Sequence, residues 1–100
     1  VNGRLRIEVK ASTWRAARGR RGRYQAHWHN RADMLLWLLA NVGQWLVIPA
    51  SELGNRRNLA IWSYDARDYA GQWAAYLDAW HILDTALETA KGGIFQERLL

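Results

Sequence analysis

The chain has 100 residues, half of them apolar or aromatic and 23% charged, which suits one small domain around a single core and leaves too little chain for two. It contains no cysteine, so a disulfide framework and a thiolate zinc site are excluded, and an intracellular, cytoplasmic setting is the expectation. Residues 1–31 carry nine basic side chains against Glu8 alone, a net +8, whereas residues 32–100 carry five basic and eight acidic side chains, a net −3.

No basic-then-apolar leader with a small-residue cleavage site follows Val1. The first residue is not Met, and Asn2-Gly3 is a favoured hairpin-turn dipeptide, so a further strand is expected ahead of it. Leu5, Ile7 and Val9 then alternate with Arg4, Arg6, Glu8 and Lys10. This period of two predicts a strand with one apolar and one charged face. Glu8 and Lys10 lie two apart and project from the same side of it. Residues 12–22 read as a mobile basic loop loosened by Gly19 and Gly22, in which Trp14 is expected either to pack down or to stack on a ligand. Residues 23–29 alternate again, Tyr24, Ala26 and Trp28 against Gln25, His27 and His29, and form the next predicted strand.

Two nearly uninterrupted apolar runs, 34–40 and 45–48, flank the loop signal Asn41-Val42-Gly43-Gln44. Leu and Met favour helix, and Asn30 would cap one. Two buried strands joined by a tight turn account for both runs, and a hairpin is the expectation. The interruption also leaves the stretch short of the roughly 20 apolar residues of a membrane-spanning helix, so no membrane partner is expected. Pro49 opens and Gly54 closes a single helical turn, and residues 58–63 form a further short strand. From residue 68 to 91 the period becomes helical, with Tyr69, Trp73, Tyr76, Leu77, Trp80, Leu83, Leu87 and Ala90 on one stripe. Asp65 or Asp68 would cap that helix and Gly92-Gly93 end it. The predicted class is α/β (α+β): a mixed central sheet of about five strands with a long carboxy-terminal helix.

The sharpest local motif is Glu8-Val9-Lys10. A carboxylate on a strand binds a hard divalent cation, usually magnesium, through oxygen. Such a cation polarises a scissile phosphate and lowers the pKa of bound water, while a neighbouring ammonium orients that water or offsets charge on phosphoryl oxygens. The plainer alternative is an exposed ion pair on one strand face. Arg15, Arg18, Arg20, Arg21 and Arg23 suit a phosphate clamp of salt-dependent, largely sequence-independent affinity, against the alternative of a solvated basic loop. Trp14 or Tyr24 would add stacking on an unpaired base. His27 and His29 share a face and suit zinc or, more plainly, a polar sheet surface. Gln25, on the same face, is placed to approach Glu8 from a neighbouring strand. Ser12 and Ser51 have no visible nucleophilic partners, His81 reads as a structural residue, and the aromatic stripe of the last helix reads as core.

The succession R-L-R-I-E-V-K-A-S, basic loop, R-Y-Q-A-H-W-H, A-D-M-L-L-W-L-L-A, Q-W-L-V-I-P-A-S-E-L and N-L-A-I-W-S, over residues 4–63, resembles the PD-(D/E)XK nucleases. Among them it is similar to the Holliday-junction resolvases and the small homing and restriction endonucleases. The resemblance implies a restriction-endonuclease-like fold and DNA cleavage supported by Mg2+ or Mn2+. It makes Glu8 and Lys10 catalytic, with Glu8 also a metal ligand, and DNA backbone the partner of the Arg loop and Trp14. The family also places an acidic residue, usually Asp, on the strand before the E-x-K strand, and none precedes Glu8 here. Two expectations follow: residues 1–100 are the carboxy-terminal portion of a nuclease-like domain whose first catalytic strand lies upstream, or the domain is an inactive nucleic-acid-binding descendant. A third is a protein-interaction domain, such as a homodimer, built on the Trp-rich helix and exposed strand edges.

Overall fold

A computed structural model describes residues 5–16, 22–29 and 31–90. The Asn2-Gly3 turn, the side chains of Arg18, Arg20 and Arg21, and the Gly92-Gly93 stop lie outside the described residues. Five strands form: β1 (Ile7–Ser12), β2 (Tyr24–His27), β3 (Met34–Leu39), β4 (Gln44–Pro49) and β5 (Asn58–Ile61). Two helices accompany them, α1 (Ala50–Leu53) and α2 (Trp80–Ala90). The expected strands are all present, divided between two sheets: β1-β3-β4 and the antiparallel pair β2-β5.

The alternation of the sequence sets the layers. In β3 and β4, Leu35, Trp37, Leu39, Leu46 and Ile48 face one way and meet Tyr24, Ala26, Trp28, Leu59 and Ile61 of the second sheet. Met34 and Val47 face the other way, with Leu36 and Ile7 beside them, and meet Ala79, Ile82, Leu83 and Ala86. A strand pair buried on both faces has no polar side to show, so residues 34–39 read as one apolar block. Their turn closes through Gly43, whose φ of 66° places it in the left-handed region, with its N–H donating to the Leu39 carbonyl at 2.9 Å.

β1 runs parallel to β3, Ile7 opposite Met34 and Glu8 opposite Leu35, and among the described residues its other edge has no ladder partner in the sheet. Asp33 fastens the start of this pairing, its Oδ2 accepting the Arg6 backbone N–H at 2.9 Å. Past the strand, Trp14 N–H donates to Asn41 Oδ1 at 2.8 Å and ties the outgoing chain to the β3–β4 turn.

The continuous helix expected over 68–91 is replaced by two single 3-10 turns, Ala66–Asp68 and Ala74–Tyr76, followed by α2. Competition from β4 breaks the helix: Leu77 bridges Leu46 and Asp78 N–H donates to the Trp45 carbonyl at 2.8 Å. Asp78 then turns the chain at φ 52°. The apolar stripe still packs inward, with Trp73 buried and Tyr69, Tyr76 and Leu77 against the inter-sheet core. Asp65 does cap, as expected, but it caps the first 3-10 turn. Among the described residues no helix is long and apolar enough to cross a membrane.

Candidate functional site

The parallel register fixes where the motif of β1 points. Glu8, Lys10 and Ser12 share the side of the sheet that carries Leu35, Trp37 and Leu39, hence the side that meets β2 and β5. Glu8 and Lys10 stand together as expected, with Lys10 Nζ 3.2 Å from Glu8 Oε2 and side-chain exposures of 32% and 20% respectively. The apolar face of the predicted alternation is not covered at Val9, which is 60% exposed. That face of β1 is covered only at Ile7, which joins the α2 cluster. The ion pair therefore sits half-sheltered on the edge strand of the larger sheet.

Ser12, at the far end of the same face, is buried and fully used. Its Oγ donates to the Gln25 carbonyl at 2.6 Å and accepts from the buried Trp37 indole N–H at 2.8 Å. That pair of bonds fixes β2 against β1. Gln25 meets β1 at Ser12 through its backbone carbonyl, not at Glu8 as expected. Its side-chain Oε1 turns instead to Arg23 Nε at 3.2 Å. A shallow pocket of about 260 Å³ opens here, lined by Ala11, Ser12, Thr13, Arg15, Gln25 and His27.

The basic loop is clasped at its base. Arg15 and Arg23 exchange backbone hydrogen bonds of 2.8 and 3.0 Å, which brings two of the five predicted phosphate-binding arginines to neighbouring positions. Trp14 packs down edge-on against Tyr24 and Tyr64, ring centroids 5.1 and 5.4 Å away. A Cβ at Gly22 would collide with its indole, so the glycine permits this seat. The Tyr24 hydroxyl donates to the Tyr64 carbonyl at 2.6 Å; burial, and then the nearby Tyr64 and Asp65, push its pKa up.

The outward face of the β2-β5 pair carries features that the motifs of the sequence do not single out. The Arg23 guanidinium lies 5.3 Å from the centroid of the Trp62 ring, and Trp62 and Tyr64 are 40% and 48% exposed. His27 Nδ1 pairs with Asn58 Oδ1 at 2.7 Å across the strands. The available signal is the parity of residues 58–62: if Leu59 and Ile61 point inward, Trp62 points outward, on the face of His27. Among the described residues no group of three or more His, Cys, Asp or Glu is gathered as for a metal ion.

The architecture of mixed and antiparallel sheets with a carboxy-terminal helix is an α+β fold. It is similar to the solved structure of a bacterial homing endonuclease, I-Ssp6803I, with a TM-score of 0.60 over 88% of this chain at 14% sequence identity. The chain spans 64% of that protein's length. No protein-family model and no curated protein sequence matches the chain.

Proposed function

We propose that this chain is part of a metal-dependent DNA endonuclease of the PD-(D/E)XK type, with Glu8 and Lys10 at its reaction centre. The observation that carries the reading is the pairing of those two side chains, 3.2 Å apart on one face of an edge strand, within an endonuclease-like fold. The cation in question is Mg2+ or Mn2+. Glu8 would hold it by a carboxylate oxygen, and one carboxylate suffices for such an ion when water and substrate phosphate fill its other positions. A second carboxylate from an upstream strand belongs to the same proposal. The ion supplies Lewis-acid polarisation of the phosphate when bound.

Lys10 has two tasks in this scheme: its ammonium orients the attacking water, and it faces the negative charge that builds on the phosphoryl oxygens. The water attacks phosphorus and gives up a proton to solvent, the bond to the leaving sugar oxygen breaks, and that oxygen takes up a proton from solvent. Arg15 and Arg23, with Arg18, Arg20 and Arg21 of the loop between them, hold the DNA backbone. Trp62, exposed and paired with Arg23, is a better stacking surface than Trp14, which is enclosed by tyrosines.

Incubation of the full-length protein, with the upstream strand and its carboxylate, with magnesium and duplex or branched DNA tests the reading; residues 1–100 by themselves are expected to cleave poorly. Cleavage is expected, and it is expected to disappear in Glu8→Gln and Lys10→Ala. No cleavage by the wild type, or equal cleavage by Lys10→Ala, overturns the catalytic assignment. The solitary carboxylate in the described site favours a second reading, a binding module without catalysis. It predicts salt-sensitive DNA binding that Arg23→Ala weakens and that neither magnesium nor Glu8→Gln alters.

A further inference from the structure

At the opposite end of β2 from the arginine loop, a second pocket of about 270 Å³ is lined by Trp28, His29, Asn55, Arg56 and Arg57. Every one of these side chains is able to donate a hydrogen bond, and no carboxylate is among them. Arg56 and Arg57 make no ion pair with a carboxylate among the described residues. The backbone holds the wall in place: Trp28 N–H donates to the Arg57 carbonyl at 2.9 Å and Arg56 N–H to the Leu53 carbonyl at 3.0 Å. The Arg56 guanidinium is further oriented over the Trp73 ring, 5.4 Å from its centroid. Trp28 is 1% exposed, and its indole N–H is buried without an acceptor among the described residues.

We propose that this pocket binds a phosphate group. Two guanidiniums with forked donors match the oxygens of a phosphate, His29 and Asn55 offer further donors to them, and the buried Trp28 ring forms part of the wall. The volume admits such a group with water, which takes about 30 Å³ per molecule. The site needs neither Glu8 nor Lys10, so it stands apart from the nuclease reading. From Arg23 to Trp28 the chain advances five residues, about 17 Å at strand rise. The same chemistry therefore fits a free phosphate or a backbone phosphate of a nucleic acid that also meets the arginine loop.

The Trp28 indole N–H resonance, assigned from the spectrum of Trp28→Phe, reports on the pocket in a titration with inorganic phosphate at constant ionic strength. A saturable shift is expected. It should need about tenfold more phosphate in Arg57→Ala, the order of loss for a charge-assisted hydrogen bond, and remain unchanged in Arg31→Ala and Glu8→Gln. A shift produced also by a short DNA duplex, and reversed by phosphate, supports the pocket with nucleic acid as the source; a shift with phosphate alone supports it with a free phosphate. No shift in either titration, or equal shifts in wild type and Arg57→Ala, overturns the proposal. The Glu8→Gln arm keeps the outcome separate from that of the cleavage experiment.

Discussion

Ser12 joins two strands through one oxygen, accepting from Trp37 and donating to Gln25. Ser12→Ala would leave a buried indole N–H without its acceptor. Such a loss costs about 1–3 kcal/mol, to be read from urea denaturation. Glu8 and Lys10 behave differently, because a partly solvated ion pair contributes about 0–1 kcal/mol. Lys10→Ala is therefore expected to unfold at nearly the wild-type urea midpoint while losing cleavage. A midpoint shift as large as that of Ser12→Ala would make the pair structural. The shared face of Glu8 and Lys10 is legible in the sequence, since two residues of separation on a strand give one face and nothing else. Which face meets the second sheet is not legible. Val9 is the more apolar neighbour, yet it is exposed, because the parallel pairing with β3 and the placement of α2 decide the matter and neither is a local property.

At the scale of elements, the hairpin of β3 and β4 is readable from two apolar runs around Gly43, and the turn of α1 from Pro49 and Gly54. The helix expected over 68–91 gives way for a physical reason: the stripe of Tyr69, Trp73, Tyr76 and Leu77 reports burial, and burial at a spacing of three to four does not require a helix. The backbone of Leu77 and Asp78 finds partners in β4 instead. Asp78 tolerates its φ of 52° where a branched residue would not. Asp78→Val is expected to cost about 1–2 kcal/mol in urea denaturation and Asp78→Gly to cost nothing. Asp65 fastens the first 3-10 turn to β4. Its carboxylate accepts from the Arg67 guanidinium, from Gln44 Nε2 at 2.8 Å and from the Arg67 backbone N–H at 2.9 Å. Those bonds, Arg67's side chain first, hold its pKa well below the usual carboxylate range. A depressed pKa gives stability that is present above the unfolded value of about 3.9 and lost as the pH falls below it. Asp65→Asn should accordingly melt below wild type at neutral pH, with the gap in Tm closing in acid.

For the molecule as a whole, the division of charge between residues 1–31 and 32–100 is the property most exposed to test by salt. For duplex DNA, each phosphate that the protein ceases to neutralise lowers the slope of log K against log salt by about 0.9. Arg15→Ala and Arg23→Ala should each reduce the slope by about that amount in fluorescence anisotropy; an unchanged slope removes the clasped loop from the interface. The parallel pairing of β1 with β3 also has a kinetic consequence. The β3–β4 hairpin closes over a turn of a few residues, whereas β1 must wait for the intervening chain, with β2 in it, to be gathered before it can dock. Local pairings form early and distant ones late, so Val47→Ala should slow refolding, while Ile7→Val should act mainly by hastening unfolding. The strand that bears the candidate chemistry then arrives after the hairpin it docks on and leaves before it.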